Sequence, residues 1–163
     1  MAPTEAERAA FRMIADYQFG PGAGVALFGE DSNLSVKRSA SGRPRQLFAP
    51  DGRLATFVRD GRLTLGFAGG IRLAETLPAP QYRVSVGDES EPFVKDGSNA
   101  FAKFVHDVDP AIRPDDEVLV ISAASGSLLG VGRAELPATG MRDFERGVAV
   151  SIREGRDGWD GHE

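Results

Sequence analysis

Leu47-Phe-Ala-Pro-Asp-Gly-Arg-Leu-Ala-Thr-Phe-Val-Arg-Asp-Gly-Arg-Leu-Thr-Leu65 holds two Asp-Gly pairs nine residues apart, each flanked by residues that favour strands. Asp-Gly between alternating apolar residues marks a tight hairpin, because both residues tolerate the positive φ that such turns need. The stretch predicts an antiparallel meander. Taken as two-residue turns, the pairs set Arg59 opposite Arg62 and Val58 opposite Leu63, with Ala49 opposite Leu54 and Leu47 opposite Thr56. One face then carries Leu47, Leu54, Val58, Leu63, Leu65 and Phe67 as a core, and the other carries Phe48, Phe57, Arg53, Arg59 and Arg62. Two arginines facing each other across a hairpin repel, and a bound anion would relieve the conflict. The competing structural reading has Asp60, Asp16 or Glu30 neutralise them, with the phenylalanines as a second core layer.

Outward from the meander, Thr4-Glu-Ala-Glu7 is a capping box followed by Phe11, Ile14, Ala15 and Gln18 at helical spacing, which predicts a helix over 5–19. Gly20-Pro-Gly-Ala-Gly24 reads as a tight turn between helices, and Val25-Ala-Leu-Phe28 as one or two helical turns. Strands are expected at 34–38 and 45–49 and a helix at 68–76, giving an α+β domain over 1–79: a helix plus an antiparallel meander. Leu77-Pro-Ala-Pro80 has the composition of a short stiff linker. After it, short strands are expected at 82–86, 100–105, 117–122, 128–135 and 148–153, with helical turns at 91–96 and 139–146. Even spacing of short strands predicts a small β pseudo-barrel over 80–155, and 156–163 reads as a polar, flexible tail.

The 163 residues are 41% hydrophobic and 26% charged, enough to bury a core and outside the disordered class. No apolar run approaches the roughly 20 residues of a membrane helix. The acidic N-terminus does not resemble a signal peptide, so the cytosol is the expected location, without a membrane partner. The formal charge of −5 hides an asymmetry. Residues 34–72 carry eight cations against two acids, a net of +6, whereas residues 80–163 carry nine cations against sixteen acids, a net of −7. Such a split predicts one face for an anion and another for solvent.

Most chemistry can be set aside. Zero cysteine excludes disulfides, thiol nucleophiles and sulfur-ligated zinc, and two histidines, His106 and His162, exclude an all-histidine metal site. The glycines at 20–24 follow a helix and lack the Lys-Ser/Thr of a P-loop. His106-Asp-Val-Asp109 with Asp115-Asp-Glu117 lacks the loop glycine of an EF-hand and is interrupted by Pro110. There is no Gly-x-Ser-x-Gly elbow, and nothing favours a carboxylate pair. No metal and no cofactor are expected.

Pro92-Phe-Val-Lys-Asp-Gly-Ser-Asn-Ala-Phe-Ala-Lys-Phe-Val105, Ile112-Arg-Pro-Asp-Asp-Glu-Val-Leu-Val120, Leu128-Leu-Gly-Val-Gly-Arg-Ala134, Gly140-Met141 and Arg146-Gly-Val-Ala-Val150 resemble the PUA domain. That domain is an RNA-binding pseudo-barrel named after pseudouridine synthases and archaeosine transglycosylases. Ile14-Ala-Asp-Tyr-Gln-Phe-Gly-Pro-Gly-Ala-Gly24, Leu27-Phe28 and the meander resemble the domain that precedes PUA in archaeal tRNA-guanine transglycosylase. The resemblance covers about residues 10–155.

The resemblance implies binding rather than catalysis. In that family, base exchange belongs to a separate (β/α) barrel with aspartates and a cysteine-histidine zinc site, for which this chain has neither length nor cysteines. Its C-terminal domains grip tRNA, the PUA unit at the acceptor stem and the preceding domain on a rearranged D-arm. Mapped by motif, RNA would meet Lys95, Gly97, Ser98, Asn99 and Lys103, with Arg133 and Arg153 as neighbours. The basic first half would add Lys37, Arg38, Arg53, Arg59 and Arg62, the two sets forming one composite surface. The acidic second half should bind only weakly alone. The expectation is a non-catalytic protein that binds tRNA or another structured RNA, as accessory to a tRNA-modifying enzyme in trans. A ribosome- or translation-associated factor acting mainly through protein contacts is the alternative, and an unrecognised enzyme with acids in a cleft is the third reading.

Overall fold

In a computed structural model, which describes residues 1–29 and 33–159, Thr4 Oγ1 accepts from Glu7 N and Glu7 Oε1 accepts from Thr4 N, both at 3.0 Å. This capping box starts α1 (Glu5–Phe19), which buries Phe11, Ala15 and Phe19. The glycine turn then leads into α2 (Ala23–Phe28). A Cβ on Gly24 would overlap the backbone of Arg12, so the missing side chain is what lets α2 lie directly on α1. Three guanidiniums take the carbonyls that end α2: Arg8 Nη1 donates to Gly29 O at 2.7 Å, Arg12 Nε to Phe28 O at 2.9 Å and Arg72 Nη1 to Leu27 O at 3.3 Å. Positive charge there also suits the helix dipole.

The first of two units, Met1–Leu77, continues with β1 (Ser35–Arg38), β2 (Pro44–Ala49), β3 (Gly52–Phe57), β4 (Leu63–Leu65) and α3 (Phe67–Thr76). The strands pair in chain order, all antiparallel, as the predicted meander. Leu47, Leu54, Leu63, Leu65 and Phe67 are buried as expected, each full burial contributing about 1.5–3 kcal/mol.

The register differs from the two-residue reading. Phe57 opposes Leu63, Val58 N donates to Arg62 O at 3.0 Å, and Arg59-Asp60-Gly61 forms a three-residue loop. Arg59 therefore does not face Arg62. Gly61 sits at φ 86, the left-handed residue that closes a three-residue hairpin. The β2–β3 turn is Pro50-Asp51, with Ala49 opposite Gly52 and Leu47 opposite Ala55 rather than Thr56. Proline presets the first central position of a turn, and a register shift at Leu47/Phe48 leaves Leu54 as the extra residue opposite them. Val58 is half-buried, and Phe57 lies with the core side, its ring 5.3 Å from that of Phe11. Of the suggested neutralisers, Asp60 binds Arg62, Asp16 Oδ1 accepts from Gly24 N at 2.7 Å, and Glu30 lies outside the described residues.

In the second unit, Pro78–Trp159, the strands are β5 (Arg83–Val86), β6 (Ala100–Phe101), β7 (Val105–Val108), β8 (Glu117–Ser122), β9 (Leu128–Ala134) and β10 (Val148–Gly155). Helices α4 (Glu91–Lys95) and α5 (Ala138–Asp143) cover them. The sheet order is β6-β10-β9-β8-β5-β7, with β5 and β8 parallel and the other pairs antiparallel. The chain passes from one edge strand to the other through a 3₁₀ turn, Ala102–Phe104, so the sheet nearly closes into the expected pseudo-barrel. The expected single strand at 100–105 is thus broken: Ala102 N donates to Gly147 O at 3.0 Å, continuing the β6–β10 pairing, and Gly87 N to Phe104 O at 3.1 Å, continuing the β5–β7 pairing, so the 3₁₀ turn hands the chain from one pairing to the other. Val84, Val118, Val120, Leu129, Met141 and Val150 fill its core. Arg156–Gly158, within the stretch read as a tail, forms a 3₁₀ turn whose Arg156 Nε donates to Leu128 O at 2.8 Å. No helix among the described residues is long and apolar enough to cross a membrane.

Candidate functional site

The order of strands puts the β1–β2 and β3–β4 turns at the same end of the first sheet. Both are three-residue loops closed by a left-handed glycine: Ser39 N donates to Arg43 O at 2.9 Å around Gly42, as Val58 N donates to Arg62 O around Gly61. Between them lies a cleft of about 440 Å³, walled by Ser39, Ser41, Arg43, Arg45, Arg59 and Gly61, with Phe57 and Phe11 at its apolar side.

The cations of this unit fall into two groups. Arg38 Nη1 and Nη2 donate to the two oxygens of Glu7 at 2.8 Å each, and Arg62 Nε donates to Asp60 Oδ2 at 2.9 Å. Arg53 Nη1 donates to Thr56 Oγ1 at 2.7 Å, so it braces β3. Among the described residues, Lys37, Arg43, Arg45 and Arg59 are exposed and have no carboxylate within ion-pair distance. Of the expected residues in this unit, the cleft thus gathers only Arg59. Arg43, Arg45, Phe57, Ser39 and Ser41 join it, brought together by the shared direction of the two turns.

The glycine segment of the second unit closes α4. Gly97, at φ 98, donates to Val94 O at 2.9 Å and Ser98 N donates to Phe93 O at 2.8 Å, the paired bonds of a helix stop that needs a left-handed residue. Both backbone donors are therefore spent, but the Cα of Gly97 faces open space. Asn99 Oδ1 accepts from Ile152 N at 3.1 Å, tying the segment to β10. Gly97, Ser98 and Asn99 rim a cleft of about 600 Å³ whose walls are Phe93, Phe101 and Phe104, with Ser90 below. Phe93 is 62% and Phe101 44% exposed, unusual for aromatic rings without a partner. Lys103, on the 3₁₀ turn rather than a strand, holds its ammonium 5.0 Å from the centre of the Phe104 ring but is not itself part of the cleft lining. Lys95, at the end of α4, is half-buried and has no ion-pair partner among the described residues.

Arg133 and Arg153 stand apart from that cleft's lining. Arg153, the extra residue where the β9–β10 register shifts, reaches across β9 and forks onto the buried Glu117 at 2.6 and 2.9 Å. Arg133 Nη2 donates to Glu135 Oε2 at 3.0 Å, and Ser151 Oγ donates to the same oxygen at 2.7 Å. Ser151, then Arg133, hold the Glu135 carboxyl below its ordinary range, and Glu135 in turn raises the Arg133 guanidinium. This is a charge ladder on the sheet. Among the described residues no group of three or more His, Asp or Glu could hold a metal ion.

The three phenylalanines were the part of the second cleft that sequence reasoning missed. Their signal was present in Phe93, Phe101 and Phe104 bracketing the glycine segment, a spacing that a barrel core explains equally well.

Comparison with known proteins agrees with this two-part organisation. Residues 9–80 match the family profile of the patch-forming domain C2 of tRNA-guanine transglycosylase, and residues 82–156 that of the PUA domain. The tRNA-guanine(15) transglycosylase of Thermococcus kodakarensis is 46% identical over 143 residues, covering 87% of this chain and 24% of the relative. That of Methanothermobacter thermautotrophicus is 44% identical over 145 residues, covering 88% and 22%. The chain thus spans about a quarter of the length of these curated relatives. Among solved structures, a hypothetical protein of Pyrococcus horikoshii superposes with a TM-score of 0.71 at 17% identity, covering 94% of this chain and 92% of its own. A conserved PUA domain protein of Thermoplasma acidophilum gives 0.65 at 20% identity, covering 94% and 91%. Those two show a shared fold. The helix-and-meander unit and the near-closed barrel together make this chain a C2 domain of the tRNA-guanine transglycosylase kind joined to a PUA domain, similar to the C-terminal region of the archaeal enzymes.

Proposed function

We propose that the chain binds RNA through the cleft of its PUA unit, and that its RNA is tRNA, held at the acceptor stem. In this reading it is a non-catalytic accessory to a tRNA-modifying enzyme on another chain. The observation that supports the reading is the set of exposed rings, Phe93 and Phe101, in one cleft with Gly97, where the space a side chain would fill is open. Aromatic rings stack on any base, and a glycine without neighbours lets a sugar-phosphate backbone come close. Lys95 and Lys103 supply cations for phosphates, while Ser98 Oγ and the amide nitrogen of Asn99 can answer 2′-hydroxyls. The similarity to transglycosylases named for tRNA points the same way.

Fluorescence anisotropy with tRNA and with an acceptor-stem minihelix tests it. Both should bind, and Phe101→Ala should weaken each about fivefold or more, since stacking one base contributes about 1–3 kcal/mol. Unchanged binding by both Phe93→Ala and Phe101→Ala would overturn the assignment of this cleft. Capture of ribosomal subunits rather than tRNA and a modification enzyme would favour the translation-associated reading instead.

A further inference from the structure

The cleft of the first unit has a feature that the ion pairs around it make plain. Two carboxylates stand close in the chain to its lining residues, and each is already matched: Glu7 by both arms of Arg38, Asp60 by Arg62. Among the described residues, no carboxylate is paired with Arg43, Arg45 or Arg59. Three guanidiniums gathered on one cleft repel one another unless an anion enters, and guanidinium forks suit phosphate oxygens best. The same lining is apolar at Phe57, whose ring centre lies 5.3 Å from that of Phe11. Ser39 and Ser41, their hydroxyls 3.0 Å apart, add neutral hydrogen-bonding groups at the rim.

Phosphate recognition beside an aromatic face is the chemistry of a nucleotide. A cleft of about 440 Å³, open to solvent on one side, has room for one nucleotide. Resting on the reading that the chain binds RNA, we propose that this cleft seats a single unpaired nucleotide of that RNA. Its 5′-phosphate lies on Arg43, Arg45 and Arg59, and its base lies against Phe57. The site differs from the PUA cleft in kind: there the rings dominate, whereas here the charge does.

The test compares a labelled single-stranded uridine oligonucleotide with a blunt-ended RNA duplex of the same length, using the full chain. The parent should bind the single strand better than the duplex. Arg43→Ala/Arg45→Ala/Arg59→Ala should weaken single-strand binding tenfold or more and flatten its salt dependence. Phe57→Leu, which keeps an apolar contact with Phe11, should weaken it about fivefold. If tRNA binds and remains sensitive to Phe101→Ala, but the triple variant binds the single strand as the parent does, this proposal fails and the PUA reading stands. If the parent binds no RNA at all, both fail. Preference for polyglutamate over the oligonucleotide would overturn the nucleotide assignment in favour of an acidic protein segment.

Discussion

Arg38 closes both arms of its guanidinium on Glu7, Nη1 on Oε2 and Nη2 on Oε1 at 2.8 Å each, and so fastens the start of α1 to the end of β1. The same carboxylate accepts from Thr4 N, completing the capping box. The Arg38 hydrogen bonds first, then the Thr4 amide, lower the Glu7 carboxyl from an ordinary 4.5 to about 2.

A carboxyl depressed by folding takes up its proton more readily in the unfolded chain. Its stabilising effect is therefore complete above about pH 4.5 and is lost as the pH falls toward 2. Glu7→Gln should melt lower than the parent at neutral pH, and the gap should narrow as the solution is acidified. Thermal melts at a series of pH values check this; a gap independent of pH would sink it.

The corrected hairpin separates two arginines that the sequence pairs. Arg59 lines the cleft with no carboxylate partner among the described residues, whereas Arg62 already serves Asp60, which binds both its backbone N at 3.0 Å and its Nε at 2.9 Å. Arg59→Ala should weaken tRNA binding and lower the slope of log affinity against log salt by about one unit. Arg62→Ala should leave affinity within about twofold, as an exposed pair contributes little. Filter binding across salt concentrations measures both, and equal losses would contradict the loop geometry.

Arg153 matters for the barrel. Glu117 is 5% exposed, so Arg153→Ala takes both guanidinium donors away from a buried carboxylate. Arg153→Ala should cost about 3 kcal/mol in urea unfolding, and adding Glu117→Gln should recover part of that. If Arg153→Ala instead weakens RNA binding while the unfolding midpoint stays put, the residue contacts RNA.

Gly24→Ala forces a methyl group into the Arg12 backbone across the α1–α2 contact. Neither backbone can retreat without disturbing Phe11 and Phe28, whose rings meet edge-on at 5.8 Å. Destabilisation of about 1–3 kcal/mol is expected in thermal or urea unfolding. No measurable change would mean the two helices are packed more loosely.

Local rules carried much of the fold into the sequence. The capping box at Thr4 and Glu7, the meander, and the helical turns after Ser90 and Pro137 all depend on residues close together in the chain. What stayed hidden depends on distant partners. Nothing near Arg83–Val86 says that it will lie parallel to Glu117–Ser122, and nothing near Arg153 names Glu117 as its partner. The two clefts were half legible for the same reason. Gly97, Ser98 and Asn99 announce themselves by type and order, but Phe101 reads as core until the barrel leaves it 44% exposed. Arg43 and Arg45 count only toward the basic balance of residues 34–72 until two turns meet at one end of the sheet.

Alternating turns give the meander two ends with unequal duties. A residue added at Ala40 or Asp60 extends the rim around the three guanidiniums and leaves the strand ladder as it is, whereas one added at Asp51 intrudes opposite Ala49 and Gly52, where the ladder closes. Descendants of this sequence can therefore reshape the arginine cleft by editing loops at one pole, with the opposite pole held constant as the hinge pin of the fold.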